Sequence, residues 1–292
     1  MPETPDRTVP AELTVVSTGG ARLHTEIHGP AGAPTVVLVH GWTCNVTFWR
    51  PLIRLLERDH RVVAYDQRGH GRTPATLGSC SAEALADDLC AVLEATVAPG
   101  TRAVLAGHSM GGMTVVAAAG RPVLHDRAAA ALLCSTGIDR LAGESTVIPL
   151  RPGALRLRGQ RLFLTTRLSY GPVTPLAERL VHYITMGPSA TAEQRAEITR
   201  MVHACPRRAR AEWGGVLAGL ALTGKVGALT LPVALVQGTA DRLTPLVHAH
   251  RLAARLPNPA GFHRLAGVGH TTPHEATEEI AERLRALTKE HL

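Results

Sequence analysis

The segment Gly107-His108-Ser109-Met110-Gly111, with Gly112 directly after it, sets a hydroxyl between small residues. It follows the apolar run Ala103 to Ala106 and precedes an Ala/Val-rich stretch, so it reads as a sharp turn from a strand into a helix. A serine on such a turn needs glycine on both flanks, because the backbone must take a strained angle to lift the hydroxyl to the edge of a sheet. The helix opening at Met110 would aim its free N–H groups and positive dipole end at the reacting centre. This is the equipment of a nucleophile that attacks a carbonyl and forms an acyl-enzyme. A serine hydroxyl is nearly inert near neutral pH, so a base must lie within hydrogen-bond reach and a third group must fix that base's tautomer. Fifteen histidines are available, and none stands out in isolation.

Short Val, Leu and Ala runs alternate with longer helical patterns: Thr35 to Val39, Arg61 to Tyr65, Arg102 to Ala106, Ala129 to Cys134, Leu231 to Gln237 and Gly261 to Leu265. Strands apolar on both faces and separated by helices belong to a parallel sheet covered on both sides. Ahead of them, Leu13 to Ser17 and Arg22 to His28 flank Gly19-Gly20, a pair suited to a tight hairpin, so an antiparallel edge is expected. Helices are expected over Phe48 to Glu57, Ser81 to Ala95, Met110 to Gly120, Pro245 to Leu256 and Pro273 to Leu287, the first two capped near Thr47 and Ser81. Between Gly137 and Leu229 the alternation stops, and helical periods take over at Leu176 to Met186, Ala192 to His203 and Arg207 to Leu222. Because the sheet resumes at Leu231, residues 137–229 read as a helical cap inserted into a core made of 1–136 and 230–292.

From about Leu13 to Leu287 the chain resembles the α/β-hydrolase fold superfamily, in the branch of small bacterial cap-bearing serine esterases and lipases. The resemblance implies a mostly parallel eight-stranded sheet flanked by helices, and it gives roles to positions outside the turn. His40-Gly41-Trp42 stands where the family builds half of its oxyanion hole, which makes the backbone N–H groups of Trp42 and Met110 the expected donors. His270, in Gly267-Val268-Gly269-His270, stands at the family's base position, and Asp241, in Gly238-Thr239-Ala240-Asp241, at its acid position. Nucleophile, acid, base is the chain order expected of this fold. Asp139 competes with Asp241, since some members carry the acid after the preceding strand. His108 and His40 read as packing residues. Asp66-Gln67-Arg68-Gly69-His70-Gly71-Arg72 is similar to the family's Asp-x-Arg-Gly-x-Gly loop and reads as a carboxylate and an arginine tying a glycine turn. Serine at the elbow, where epoxide hydrolases and dehalogenases carry aspartate, points to acyl chemistry that needs no metal or organic cofactor.

A carboxylic-ester hydrolase is therefore expected. Perhydrolysis, carbon-carbon or lactone cleavage, and acyl transfer or cyclisation stay open, because they share the machinery. A ligand-binding protein without turnover has no need of all three groups. Trp42, Thr43, Met110, Thr136 and Leu243 are expected walls of a mostly apolar pocket for a small ester or acyl substrate. Cys44 reads as an ordinary buried thiol, and the five scattered cysteines as reduced. No run of 18 apolar residues occurs and the first dozen residues lack the apolar core of a signal peptide, so a soluble cytoplasmic protein is expected. A net charge of +7 without a dense Lys/Arg run makes no case for a nucleic-acid partner. Arg151, Arg156, Arg158, Arg161 and Arg167 are interleaved with leucines, and no acid lies between Glu144 and Glu178. This stretch reads as a solvated cap face whose arginines cover apolar surface, with an anionic substrate, an acyl carrier or a membrane surface as alternative contacts. Pro152, Gly153 and Gly159 weaken a long helix there. Oligomeric state is not readable from the sequence.

Overall fold

The computed structural model describes residues 10–76 and 80–292. Its strands are β1 Ala11–Val16, β2 Arg22–His28, β3 Thr35–Val39, β4 Arg61–Tyr65, β5 Ala103–His108, β6 Ala128–Cys134, β7 Val233–Gly238 and β8 Pro259–Leu265. They form one eight-stranded sheet in the order β1-β2-β4-β3-β5-β6-β7-β8. Only the β1–β2 and β2–β4 pairings are antiparallel; the other neighbours run parallel. At the hairpin, Gly19 and Gly20 take φ of 68° and 74°, and the Ser17 N–H closes the turn on the Ala21 carbonyl at 2.8 Å.

The helices ahead of the β6 end are α1 Arg50–Leu56, α2 Ala82–Thr96, α3 Met110–Ala117 and α4 Pro122–Arg127. Between β6 and β7 come α5 Leu141–Glu144, α6 Ala154–Thr165, α7 Pro175–Thr185, α8 Ala192–Ala204 and α9 Arg207–Ala218. The chain closes with α10 Leu246–Ala253, α11 Thr272–Glu275 and α12 Thr277–His291. Successive strand side chains point to opposite faces, and this divides the core in two. Val37, Val39, Leu105 and Leu133 meet α2 and α3 through Leu85, Leu89 and Val115 on one face. On the other, Val36, Leu38, Val104 and Leu132 meet α1 and α12 through Leu52, Leu56, Ile280 and Leu284.

Three local expectations are corrected. The first helix enters through a 3-10 turn over Val46–Trp49, capped not by Thr47 but by Asn45, whose side chain accepts from the Thr47 N–H at 2.9 Å. Ser81 caps α2 as expected, accepting from the Ala84 N–H. The stretch Pro273 to Leu287 divides at Ala276, whose φ of −131° and ψ of 52° separate α11 from α12. The arginine-rich stretch folds into α6 in spite of its glycines. Gly153 lies outside it as the N-cap, and Gly159 lets it approach the 137–153 segment, since a Cβ there would come 2.8 Å from Ile148 Cδ1. Buried Gln160 donates to the Ser145 carbonyl at 3.1 Å and Leu164 is buried, so tertiary packing outweighs the weak helix propensity.

Candidate active site

Parallel strands direct their carboxyl ends to one edge of the sheet, where the loops after β3, β5, β6, β7 and β8 converge. Ser109 follows β5 with φ 52° and ψ −114°, a strained conformation for a residue with a side chain. The turn is tight enough that a Cβ on Gly107 would come 2.7 Å from the Gly111 carbonyl oxygen, and one on Gly111 would overlap the Val39 carbonyl at 2.0 Å. Its backbone is fixed from both sides. The Ser109 N–H donates to the Cys134 carbonyl at 2.9 Å, and Thr136 Oγ1 donates to the Ser109 carbonyl at 2.7 Å. Gly41 permits the loop after β3 to lie against this turn, since a Cβ there would stand 2.8 Å from His108 Nδ1 and 3.1 Å from Ser109 Cβ.

His270, after β8, brings Nε2 to 2.9 Å from Ser109 Oγ and Nδ1 to 2.8 Å from Asp241 Oδ2. An ionised carboxylate only accepts, so Nδ1 carries the proton and Nε2 is free to take one from the serine hydroxyl. Asp241 is held from several directions. The Leu243 and Thr244 N–H groups donate to its Oδ1 at 2.8 and 2.9 Å, while Gln237 Nε2 and Thr244 Oγ1 reach its Oδ2, each at 2.8 Å. The His270 backbone is fixed too: its N–H donates to the Thr185 carbonyl of α7, and His108 Nε2 donates to its carbonyl at 2.9 Å. Glu275 ties the same loop to the insertion by accepting from the Gly187 and Gly269 N–H groups at 2.7 and 3.1 Å. Asp139 stands elsewhere, accepting from Arg251 and Thr223.

A cavity of about 190 Å³ opens beside Ser109 and His270. Of the expected walls, Trp42, Thr43 and Leu243 line it. Met110 and Thr136 do not: Met110 is packed into the core with no exposed surface, and Thr136 is turned under the elbow to bind the Ser109 carbonyl. The remaining walls come largely from the insertion, among them Phe163, Tyr170, Val181, Ile184 and Val202. Trp42 is fixed by its Nε1 donating to the Arg210 carbonyl at 2.9 Å and by an edge contact with Phe163. Among the described residues, the backbone N–H groups of Trp42 and Met110 make no hydrogen bond to other backbone groups. For Met110 this follows from its place in the first turn of α3.

Residues 36–283 match the model of the alpha/beta hydrolase family. The chain belongs to the alpha/beta hydrolase family. It is 32% identical over 260 residues to a protein of Variovorax paradoxus provisionally named carbamate hydrolase RutD, covering 88% of this chain and 91% of that one. It is 25% identical over 280 residues to the bifunctional esterase/perhydrolase DCH of Acinetobacter calcoaceticus, covering 94% and 99% of the two chains. Among solved structures, a thermophilic esterase from Thermogutta terrifontis superposes with a TM-score of 0.76 at 26% identity, over 98% of this chain and all of that one.

Behind the site of this hydrolase lies a group of buried histidines. His40 Nδ1 donates to the Gly41 carbonyl at 2.8 Å and its Nε2 accepts from the Gln67 N–H, which fixes the loop that carries Trp42. Burial holds His40 down to about 4 and His70 to about 3, and it pushes His108 well below the usual histidine range. All three therefore remain neutral supports near pH 7. Burial pushes the Cys44 thiol up to about 12, so it is an inert part of the wall. The Asp-x-Arg-Gly loop is structural, though not by a mutual pairing of its carboxylate and arginine. Asp66 accepts from the Val46 and Arg72 N–H groups, each at 2.7 Å, whereas Arg68 pairs with buried Asp88 on α2. Glu12, His24 and Glu26, on β1 and β2, stand close enough to hold a cation. Arg72 already occupies that space, 2.7 Å from Glu12 and 3.2 Å from His24 Nε2.

Proposed function

We propose that this hydrolase cleaves a small carboxylic ester, or a related acyl substrate, through a covalent acyl-enzyme on Ser109. The observation that carries this reading is the unbroken line from Ser109 Oγ through His270 to Asp241, at 2.9 and 2.8 Å, opening into a cavity walled mostly by hydrocarbon. His270 takes the hydroxyl proton as Ser109 attacks the carbonyl, and Asp241 stabilises the imidazolium. The N–H groups of Trp42 and Met110 receive the developing oxyanion. Collapse of the tetrahedral intermediate passes that proton to the departing alkoxide, which leaves as the alcohol. Water, deprotonated by His270, then attacks the acyl-enzyme and releases the acid and the free serine.

Residues 137–229 act in this reading as a cap that sets acyl size. The cavity, about 190 Å³, is comparable with one of roughly 150 Å³ that admits benzene. The protein works in the cytoplasm, in keeping with five cysteines that are all free. Similarity to the carbamate hydrolase makes a carbamate the second substrate class. Perhydrolysis, carbon-carbon or lactone cleavage, and acyl transfer or cyclisation would use the same acyl-enzyme with a different acceptor or bond. Hydrolysis of p-nitrophenyl esters from acetate to palmitate, with the benzoate and a p-nitrophenyl carbamate beside them, tests the reading. Turnover should peak at short acyl groups or the benzoate and vanish in Ser109→Ala; equal turnover by that variant would refute it.

A further inference from the structure

A helix that only roofs a cavity needs one apolar face, yet α6 and α7 each carry two. Inward, they give Phe163, Leu164, Val181 and Ile184 to the cavity wall. Outward, α6 presents Leu155, Arg158 and Leu162, and α7 presents Leu176, Arg179, Leu180 and Tyr183, each set at the spacing of one helix face. Leu155, Leu162, Leu176 and Leu180 are 73%, 67%, 76% and 57% exposed, and Leu168 and Val173 between the helices are exposed as well. Among the described residues, the other large exposed hydrophobic side chains outside the span Leu150 to Tyr183 are Val16, Val247 and Leu292. The arginines on this surface do not cover the leucines.

Charge narrows the choice of what would. Arg151, Arg158, Arg161, Arg167 and Arg179 are exposed and form no salt bridge among the described residues. Glu178, the sole acid between Glu144 and Glu193, already pairs with Arg195 at 3.4 Å. A second copy of the same face would therefore set arginine against arginine with no acid between them. Leucine interleaved with arginine along a helix suits a lipid boundary, where the hydrocarbon enters and the guanidinium groups reach back to phosphates. We propose that the α6–α7 face docks this protein on an anionic lipid surface. Leu180 belongs both to the exposed face and to the cavity wall, so an apolar ester dissolved in the lipid enters the site without crossing water. The docking does not depend on the chemistry assigned to Ser109.

Co-sedimentation of the full chain with vesicles of phosphatidylglycerol or of phosphatidylcholine tests it. The protein should pellet with the former at least about tenfold more than with the latter. Leu155→Ser/Leu162→Ser/Leu176→Ser and Arg158→Glu/Arg161→Glu should each reduce that partitioning by about tenfold. Those side chains lie outside the cavity wall, so hydrolysis of a water-soluble p-nitrophenyl ester should be unchanged. Failure of the native protein to pellet with phosphatidylglycerol would overturn the proposal. So would equal pelleting of the leucine variant, which would leave only charge attraction. An oligomer that dissociates on the leucine substitutions, or an acidic protein whose binding vesicles do not displace, would likewise assign the face to a protein and overturn it.

Discussion

At the sheet edge, Asp241 is gripped by two backbone N–H groups, Gln237, Thr244 and His270, and the Ser109 turn is pinned through Cys134 and Thr136. In the roof, Phe163, Val181 and Ile184 line the cavity, and Leu155, Leu162 and Leu176 on the outer faces of the same helices are exposed. The proposed proton transfer needs donor and acceptor held within a few tenths of an ångström, which the many directional bonds of the floor would supply. An apolar wall tolerates exchange of one hydrocarbon for another. On the proposed reading, exchanges in the roof would shift the substrate range while the floor kept its chemistry.

Substitutions in the two regions should then differ in size and in kind. Asp241→Asn removes the charge and offers His270 a donor in place of an acceptor, so kcat on a good ester should fall about 10⁴-fold with the fold intact. Asp139→Asn measured beside it should be close to wild type. The reverse order would show that the floor has been assigned to the wrong acid. Phe163→Ala in the roof enlarges the cavity and loosens Trp42. It should move the preferred acyl group to a larger one and change kcat/KM by about tenfold in either direction, with the pH profile unaltered.

Acid should also destabilise the protein through the buried histidines behind the floor. His40 and His70 are held at about 4 and 3, far below the unfolded value near 6.5, because burial opposes their charge. Between those limits the unfolded chain binds the protons and the folded one does not. Their contribution is thus complete above about pH 6.5 and is lost as pH falls toward 3 to 4. Burial raises Asp66 and Asp88, which works in the opposite direction and offsets part of the loss. By calorimetry, Tm at pH 4.5 should be several degrees lower than at pH 7. An unchanged Tm would contradict a net loss of stability in acid from these rings.

Legibility in the sequence followed the same division. Strands β3 to β7 could be read because Val/Leu/Ala runs bounded by turns have few other solutions, and the elbow because glycines flank a serine at one strand end. His270 and Asp241 came from the resemblance, since fifteen histidines offer no local signal that selects one. The partners of Asp66 and Arg68 were hidden because each bond spans elements distant in sequence: Val46 lies before β4 and Asp88 on α2. In the roof, the inward stripe Ala177, Val181 and Ile184 was visible as a helical period, but not which side would face the cavity. Helix α6 ran against its own composition, because packing around Gly159 and Gln160 decided it.

The central claim is that Ser109 is the nucleophile. It is tested most directly by treating the native protein with a fluorophosphonate probe and locating the adduct by mass spectrometry. A single adduct on Ser109 is expected, lost in Ser109→Ala and greatly slowed in His270→Ala. An adduct on another residue, or equal labelling of the Ser109→Ala protein, would contradict it.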